Sequence, residues 1–265
     1  MERHSRGKGK QRLLGSHQKC WIWGRNAVLE TLRAGRWPIL ELFLAADLPP
    51  AEMTTARSLA TAAGTPEPLV APPDDLVRRC HSSEHQGYLA RMSDYPYAAW
   101  SDVCAGIAGV SAPLVLVLDS LQDPYNFGAI LRSAEVFGCA AVVLAEQGQV
   151  GVTSMVARSS VGAVNRLRIA RVPDVAVAIH ELQALRLRVY GASEKAEVSV
   201  MATDLRGGTA LVIGNEGHGM SEPIARACDA LIRIPQQGGI GSLNAAIAAS
   251  ILLYEVQRQR TPATA

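Results

Sequence analysis

Uninterrupted aliphatic runs dominate the second half of the chain, whereas the first hundred residues mix apolar and polar positions over shorter stretches. Leu114-Val-Leu-Val-Leu118 shows no polar alternation, which predicts a strand covered on both faces and therefore paired in parallel. Further strands are predicted at Ala140–Ala145, Leu167–Arg171, Arg188–Ala192, Ala210–Gly214 and Leu231–Ile234, with helices at Asn126–Phe137, Val175–Ala184 and Ser242–Arg258. Strand and helix in alternation imply an α/β fold, an open and mostly parallel sheet with helices on both faces. Ligands of such sheets sit beyond the carboxyl ends of the strands.

The earlier part of the chain reads as a smaller α/β unit. A helical pattern over Asn26–Ala34 stops at Gly35, a strand follows at Ile39–Leu44, helices are predicted at Ala51–Ala63 and Pro73–Cys80, and Gly87–Met92 closes the unit as a strand. Ser93-Asp-Tyr-Pro-Tyr97 reads as a linker and Ala98–Ala108 as a short connecting helix. The expected division is a basic tail over 1–19, a substrate-binding unit over 20–94, a linker over 95–111 and the large sheet unit over 112–265.

Charge changes this picture only at the amino terminus. Met1–Arg12 holds five basic residues against Glu2, leaving 21 basic and 23 acidic groups elsewhere. Such a segment is either an arm that condenses on polyanions or a solubilising terminus. The five cysteines are scattered and include no C-x-x-C pair, as expected for reduced thiols. No apolar run approaches the roughly 20 residues of a membrane helix, and no signal peptide is evident, so a cytoplasmic location and no membrane partner are expected. Cys80, His81, Glu84 and His85 lie close together, but no second pair completes a tetrahedral set, so no metal is expected. No G-x-x-x-x-G-K-[ST] loop marks a nucleotide hydrolase.

Three segments fall at the carboxyl ends of predicted strands: Asp119-Ser-Leu-Gln-Asp-Pro-Tyr-Asn126 leading to Arg132, Leu211-Val-Ile-Gly-Asn-Glu-Gly-His-Gly-Met220, and Ile234-Pro-Gln-Gln-Gly-Gly-Ile-Gly-Ser-Leu-Asn244. The last two empty apolar runs into glycine-rich turns, which can lie side by side and offer backbone N–H and C=O groups to one ligand. An adenine-bearing cofactor is the natural candidate. Each polar residue here also has an ordinary structural role open to it: Asn126 or Ser242 as a helix N-cap, Arg132 as a surface residue, Asn215 and Glu216 as turn formers, and Asn244 as a buried amide. Lys195 and Glu197 read as a solvated loop.

In order and content, Asn126-x-Gly128 with Arg132, Gly214-x-Glu216-Gly-x-Gly219, and Ile234-Pro235 with Ser242-Leu-Asn244 resemble the three signature motifs of the SpoU branch of the SPOUT methyltransferases, over Leu114–Glu255. The resemblance implies methylation of an RNA ribose 2′-OH with S-adenosylmethionine, a carboxyl-terminal trefoil knot and a homodimer. It places Gly214, Ile234 and Leu243 in the cofactor pocket, and leaves Asn126, Arg132, Glu216, Ser242 and Asn244 to meet ribose and phosphate. A guanidinium stays protonated, so Arg132 is expected to orient the nucleotide and stabilise alkoxide character rather than accept the proton. Glu216 is left with three roles: taking the proton, locking Arg132, or anchoring a loop amide.

Trp23-Gly-Arg-Asn-Ala-Val-Leu-Glu30 and His85-Gln-Gly87 resemble the amino-terminal RNA-binding domain, similar to a ribosomal protein fold, of the ribosomal-RNA guanosine 2′-O-methyltransferases in this branch. The expected partner is therefore large-subunit (23S) ribosomal RNA. A transfer-RNA enzyme of the same branch and an assembly factor without turnover are the alternatives.

Overall fold

The computed structural model describes residues 20–238 and 241–261, and the basic segment 1–19 lies outside them. The first part of the chain forms β1 (Trp21–Trp23), α1 (Arg25–Ala34), β2 (Ile39–Ala45), α2 (Pro50–Ala62), β3 (Leu69–Ala71), α3 (Pro73–Cys80) and β4 (Tyr88–Met92), followed by α4 (Trp100–Ala108). These strands make one sheet in the order β1-β4-β2-β3, in which only the β2–β3 pair is parallel. Beyond them come β5 (Leu114–Leu118), α5 (Pro124–Val136), β6 (Ala141–Ala145), α6 (Ser154–Ser159), β7 (Ile169–Val172), α7 (Val175–Ala184) and β8 (Arg188–Ala192). The chain ends with β9 (Val198–Ser199), β10 (Thr209–Ile213), α8 (Glu222–Ala227), β11 (Ala230–Arg233) and α9 (Ala245–Arg260).

The second sheet runs β7-β6-β5-β10-β8-β11-β9, with every neighbouring pair parallel. Its central strand shows why the aliphatic run carries no polar residue. Leu114, Leu116 and Leu118 face one core with Phe127, Ile130 and Leu253, while Val115 and Val117 face another with Ile179, Leu182 and Ile224. Both faces are covered by helices, so alternate positions are equally apolar.

The short elements β1, β3, β9, α6 and α8 are absent from the sequence-based expectation, because two to six residues span too little of a period to show one. Helix starts also differ for a physical reason. The helix expected from Asn126 begins at Pro124, because Asp123 caps it by accepting the Tyr125 N–H at 2.9 Å. The last helix begins at Ala245 rather than Ser242, and Asn244 is its cap.

The segment expected to link the two units is bound at many points. The Tyr95 hydroxyl donates to the Val164 carbonyl at 2.7 Å, the Tyr97 hydroxyl accepts the Val152 N–H at 2.7 Å, and the Ala98 N–H reaches the Ile169 carbonyl at 2.8 Å. Trp37, Tyr95 and Tyr97 pack edge to face, and one continuous core joins Ile22 and Leu29 of the first unit to Val156 and Val164 of the second. Glu30 on α1 also meets Arg166 across the joint at 3.0 Å.

The Glu30 carboxyl is held below its ordinary range, first by the hydrogen bond from Arg166 and then by Arg33. Its stabilising contribution is complete above the ordinary value of 4.5 and is lost as pH falls through the lower folded value. Wild-type protein should therefore melt above Glu30→Gln at neutral pH, and the two midpoints should converge in acid. Midpoints that stay equally separated down to pH 3 would show that the Glu30 charge does not matter to the joint.

Candidate active site

Beyond the carboxyl ends of β8, β10 and β11, the residues 193–195 and 214–220 with Ile234, Gln236, Ser242 and Leu243 form the walls of one cleft of about 330 Å³, closed on one side by Ala245 and Ala248 of α9. Residues 239 and 240 lie outside the described residues. The second wall is a loop that closes on itself. Asn215 exchanges backbone hydrogen bonds with Gly219 at 2.9 and 3.0 Å, its Oδ1 accepts the Gly217 N–H at 2.7 Å, and its Nδ2 donates to the Ser120 carbonyl at 2.7 Å. Asp119, buried at the end of β5, ties down the far end by accepting the Ser221 N–H at 3.0 Å and its hydroxyl at 3.2 Å. Asn215 thus takes the turn-forming role open to it from the sequence.

This closure explains the glycine that starts the loop. A Cβ on Gly214 would overlap the backbone of Gly219 and Met220. The demand for glycine comes from the loop folding back on its own beginning, not from the space in front of it. Gly128 answers a similar demand, since a Cβ there would overlap the Ser159 side chain where α5 crosses α6.

Asn126, Glu216 and Asn244 come together from three different elements at the mouth of the cleft. Asn244 Nδ2 donates to Asn126 Oδ1 at 3.0 Å, and Asn126 Nδ2 donates to Glu216 Oε1 at 3.0 Å. The chain has a direction set by chemistry. An ionised carboxylate only accepts, so Asn126 must present its NH₂ to Glu216 and its carbonyl to Asn244. Asn244 in turn donates its NH₂, which leaves its Oδ1 to cap α9 by accepting the Ala246 and Ile247 N–H groups at 2.9 and 3.3 Å. Of the three roles left open for Glu216, the structure pairs it with a side-chain amide and not with Arg132.

Asn244→Asp separates the two functions of this residue, since the capping oxygen survives while the donor to Asn126 is lost. Thermal stability should change by no more than about 0.5 kcal/mol, because aspartate is an equally good cap, whereas turnover should fall about tenfold for the lost amide hydrogen bond that orients Asn126. A variant that melts early yet turns over normally would reverse this assignment.

Gly214, Ile234, Ser242 and Leu243 line the cleft, as does Gln236. Ser242 is exposed and lies before the helix, so its expected N-cap role passes to Asn244. Arg132 is not brought to the cleft within one chain. Six residues along a helix turn a side chain by about 600°, which leaves Arg132 about 120° round α5 from Asn126. It lines a neighbouring hollow with Ala129, Ile247 and Tyr254, and among the described residues it makes no ion pair. Lys195, expected as solvated surface, stands on the wall of the cleft together with Ser193. Its place directly after a strand of the parallel sheet was the signal for that. Asp119 was also within reach of sequence reasoning as an acidic residue ending a fully apolar strand. No His, Cys, Asp and Glu cluster suited to a metal occurs among the described residues. His85 instead accepts the Gly87 N–H at 3.0 Å in the turn before β4.

A parallel sheet with two glycine-rich loops and a polar trio at its carboxyl edge presents a ligand site where open α/β sheets place theirs. Residues 113–254 match the SpoU rRNA Methylase family, and residues 21–98 match the family described as RNA 2′-O ribose methyltransferase substrate binding. The chain belongs to the SpoU rRNA methylase family, and it is an RNA 2′-O-methyltransferase. It is 34% identical over 248 residues to YacO of Bacillus subtilis, a protein provisionally named a TrmH family tRNA/rRNA methyltransferase, covering 93% of this chain and 98% of that one. It is 41% identical over 179 residues to the 23S rRNA (guanosine-2′-O-)-methyltransferase RlmB of Xylella fastidiosa, covering 67% of this chain and 72% of that one. The crystal structure of the SpoU methyltransferase AviRb from Streptomyces viridochromogenes in complex with AdoMet superposes with a TM-score of 0.75 at 28% identity, covering 91% of this chain and 90% of that one.

Proposed function

We propose that this enzyme methylates the ribose 2′-OH of a guanosine in large-subunit ribosomal RNA. The convergence of Asn126, Glu216 and Asn244 at the mouth of the cleft carries the proposal, because three motifs distant in sequence supply one directed polar chain there. The likeness to the Xylella enzyme over 179 residues supports the choice of ribosomal RNA over transfer RNA. S-adenosylmethionine is the methyl donor, and when bound it supplies a methyl group already activated on a sulfonium. The cleft fits such a group: its volume suits an adenosine-sized ligand, and its walls combine glycine backbone with Ile234 and Leu243.

The chain's own residues have the remaining tasks of positioning the ribose and easing the departure of its proton. Asn126 is held with its amide between a fixed acceptor and a fixed donor, so it meets a ribose hydroxyl in one orientation. Glu216, exposed at the mouth, is the carboxylate placed to receive a proton there. Arg132 supplies a positive charge for the phosphate or the developing alkoxide.

A homodimer completes the site in this account. The outer side of α9 exposes Ile247 at 53% and Tyr254 at 56%, and these line one hollow with Ile251 and Phe137, an apolar face that a partner copy would cover. Arg132 stands at the edge of this face, so pairing two copies places it at the joint between them rather than on open surface. Sedimentation should give a dimer, and Ile247→Glu with Tyr254→Glu should give inactive monomers; active monomers would refute the arrangement. The sheet order, with β10 inserted between β5 and β8 and the chain returning from β11 to pack α9 on α5, also supports the trefoil knot. The smaller unit is proposed to share the ribosomal-protein-like fold.

Incubation with labelled S-adenosylmethionine and either unmodified large-subunit ribosomal RNA or transfer RNA, followed by mapping of the modified nucleotide, tests the substrate. Methylation of transfer RNA alone would overturn the ribosomal assignment, and methylation of neither would favour an assembly factor.

A further inference from the structure

A second hollow lies away from the cleft, where β1 meets α6. Its walls carry Trp23, Asn26, Glu84, Gln86 and Arg158, and its volume is about 260 Å³. The two segments of the smaller unit that carry its resemblance to RNA-binding domains meet here, joined by the Arg25 N–H donating to Gln86 Oε1 at 2.9 Å. Arg158 comes from the larger unit, and its guanidinium lies over the Trp23 ring at 4.2 Å from the centroid. The indole is half-buried with its Nε1 enclosed, while Arg158 is exposed. An aromatic ring thus holds a flat cation at the surface and keeps its orientation fixed.

Charge singles out the same residue. Asn26 and Val161 line both this hollow and an adjacent one of about 360 Å³, so the two form one groove that reaches Arg132. Three arginines line it. Arg166 is neutralised by Glu30 at 3.0 Å and Glu135 at 3.6 Å, whereas Arg158 and Arg132 make no ion pair among the described residues. The groove's other wall groups include the carboxylates Glu30, Glu84 and Glu135, so its lining is balanced overall and its two unpaired cations stand at the ends. One of them is stacked on an aromatic ring, which offers single-stranded nucleic acid a planar face for a base, and each end offers a cation for a phosphate.

We propose that the Trp23–Arg158 pair binds an unpaired base of the RNA substrate, stacked on the guanidinium, while the attached backbone follows the groove towards Arg132. This rests on the enzyme acting on RNA, and it assigns a nucleotide subsite outside the methyl-transfer cleft. A purely structural clamp between the two units is the competing role for the pair. The two differ in what lysine can do at 158, since it keeps the charge but lacks the plane.

The test uses the full-length protein and unmodified large-subunit ribosomal RNA transcribed with 5-iodouridine in place of uridine. Irradiation of the complex should crosslink the RNA to the peptide holding Trp23 or the one holding Arg158. Arg158→Ala and Arg158→Lys should each weaken RNA binding about tenfold, the loss of one stacked base, with S-adenosylmethionine binding and the melting temperature unchanged. Trp23→Phe, which keeps a flat ring, should stay near the wild type. Crosslinks confined to other peptides, RNA binding by Arg158→Ala within twofold of the wild type, or full rescue by Arg158→Lys would each overturn the assignment while leaving the methyltransferase itself untouched. A wild-type protein that binds no RNA would remove both.

Discussion

Gly214→Ala is expected to weaken S-adenosylmethionine binding by roughly 100-fold or more, equivalent to about 3 kcal/mol, even though it adds a single methyl group. That methyl has nowhere to go. It overlaps backbone atoms of Gly219 and Met220, which no rotamer change can move, and the hydrogen bonds of Asn215 and the clamp from Asp119 hold those atoms in place. The loop must open, and with it goes a wall of the cleft. The smaller unit is distant and should keep its fold, so circular dichroism would look native while calorimetry shows no saturable binding. Asp119→Ala should give a weaker form of the same defect, because it frees one end of the loop without obstructing the other. Cofactor binding by Gly214→Ala equal to the wild type would place the donor site elsewhere.

Arg132→Lys should depress turnover by roughly 100- to 1,000-fold, the usual scale for removing a preorganised donor from developing negative charge, while cofactor affinity changes little. Arg132 lines the hollow beside α9 and not the cleft, so the two measurements should separate cleanly. Alanine should be worse than lysine, which retains the charge but loses the planar fork. If Arg132 positions the nucleotide and stabilises charge, the rate of Arg132→Lys shows no new gain as lysine begins to deprotonate near pH 10. A general base predicts activity climbing as the neutral amine appears. Single-turnover rates across that range, corrected for the wild-type profile and for RNA hydrolysis, distinguish the two, and unaltered turnover would remove Arg132 from the site.

The parallel sheet was legible in the sequence because burial on both faces removes polar residues from whole strands, as in Leu114–Leu118. The glycine-rich loops were legible for a related reason, since an apolar strand that stops abruptly in glycine has few other uses. The cap of α9 was not. Serine and asparagine are both good N-caps, so Ser242 and Asn244 compete on equal terms locally. The choice falls to Asn244 because its second polar atom also satisfies Asn126, a contact 118 residues away in the chain. Arg132 shows the opposite limit: motif spacing singles it out, while the helical repeat sets it in the hollow beside α9 and not on the cleft of its own chain. Lys195 reached the cleft through its strand, although nothing in the surrounding charged residues distinguishes it from ordinary surface.

The strapped joint between the two sheets has a consequence for how an RNA is measured. Tyr95 and Tyr97 with their hydroxyls, Trp37 with its ring and Glu30 with its carboxylate hold the units together, and a shared core runs beneath them. The smaller unit therefore works as the fixed jaw of a caliper, not as a baited line that finds its substrate by swinging. The span between the two ends is built into the chain, so an RNA is accepted when its own fold presents the right points at that span. Lengthening the segment around residues 93–99 would slacken the gauge and broaden the set of RNAs that fit, with no change to any residue that touches them.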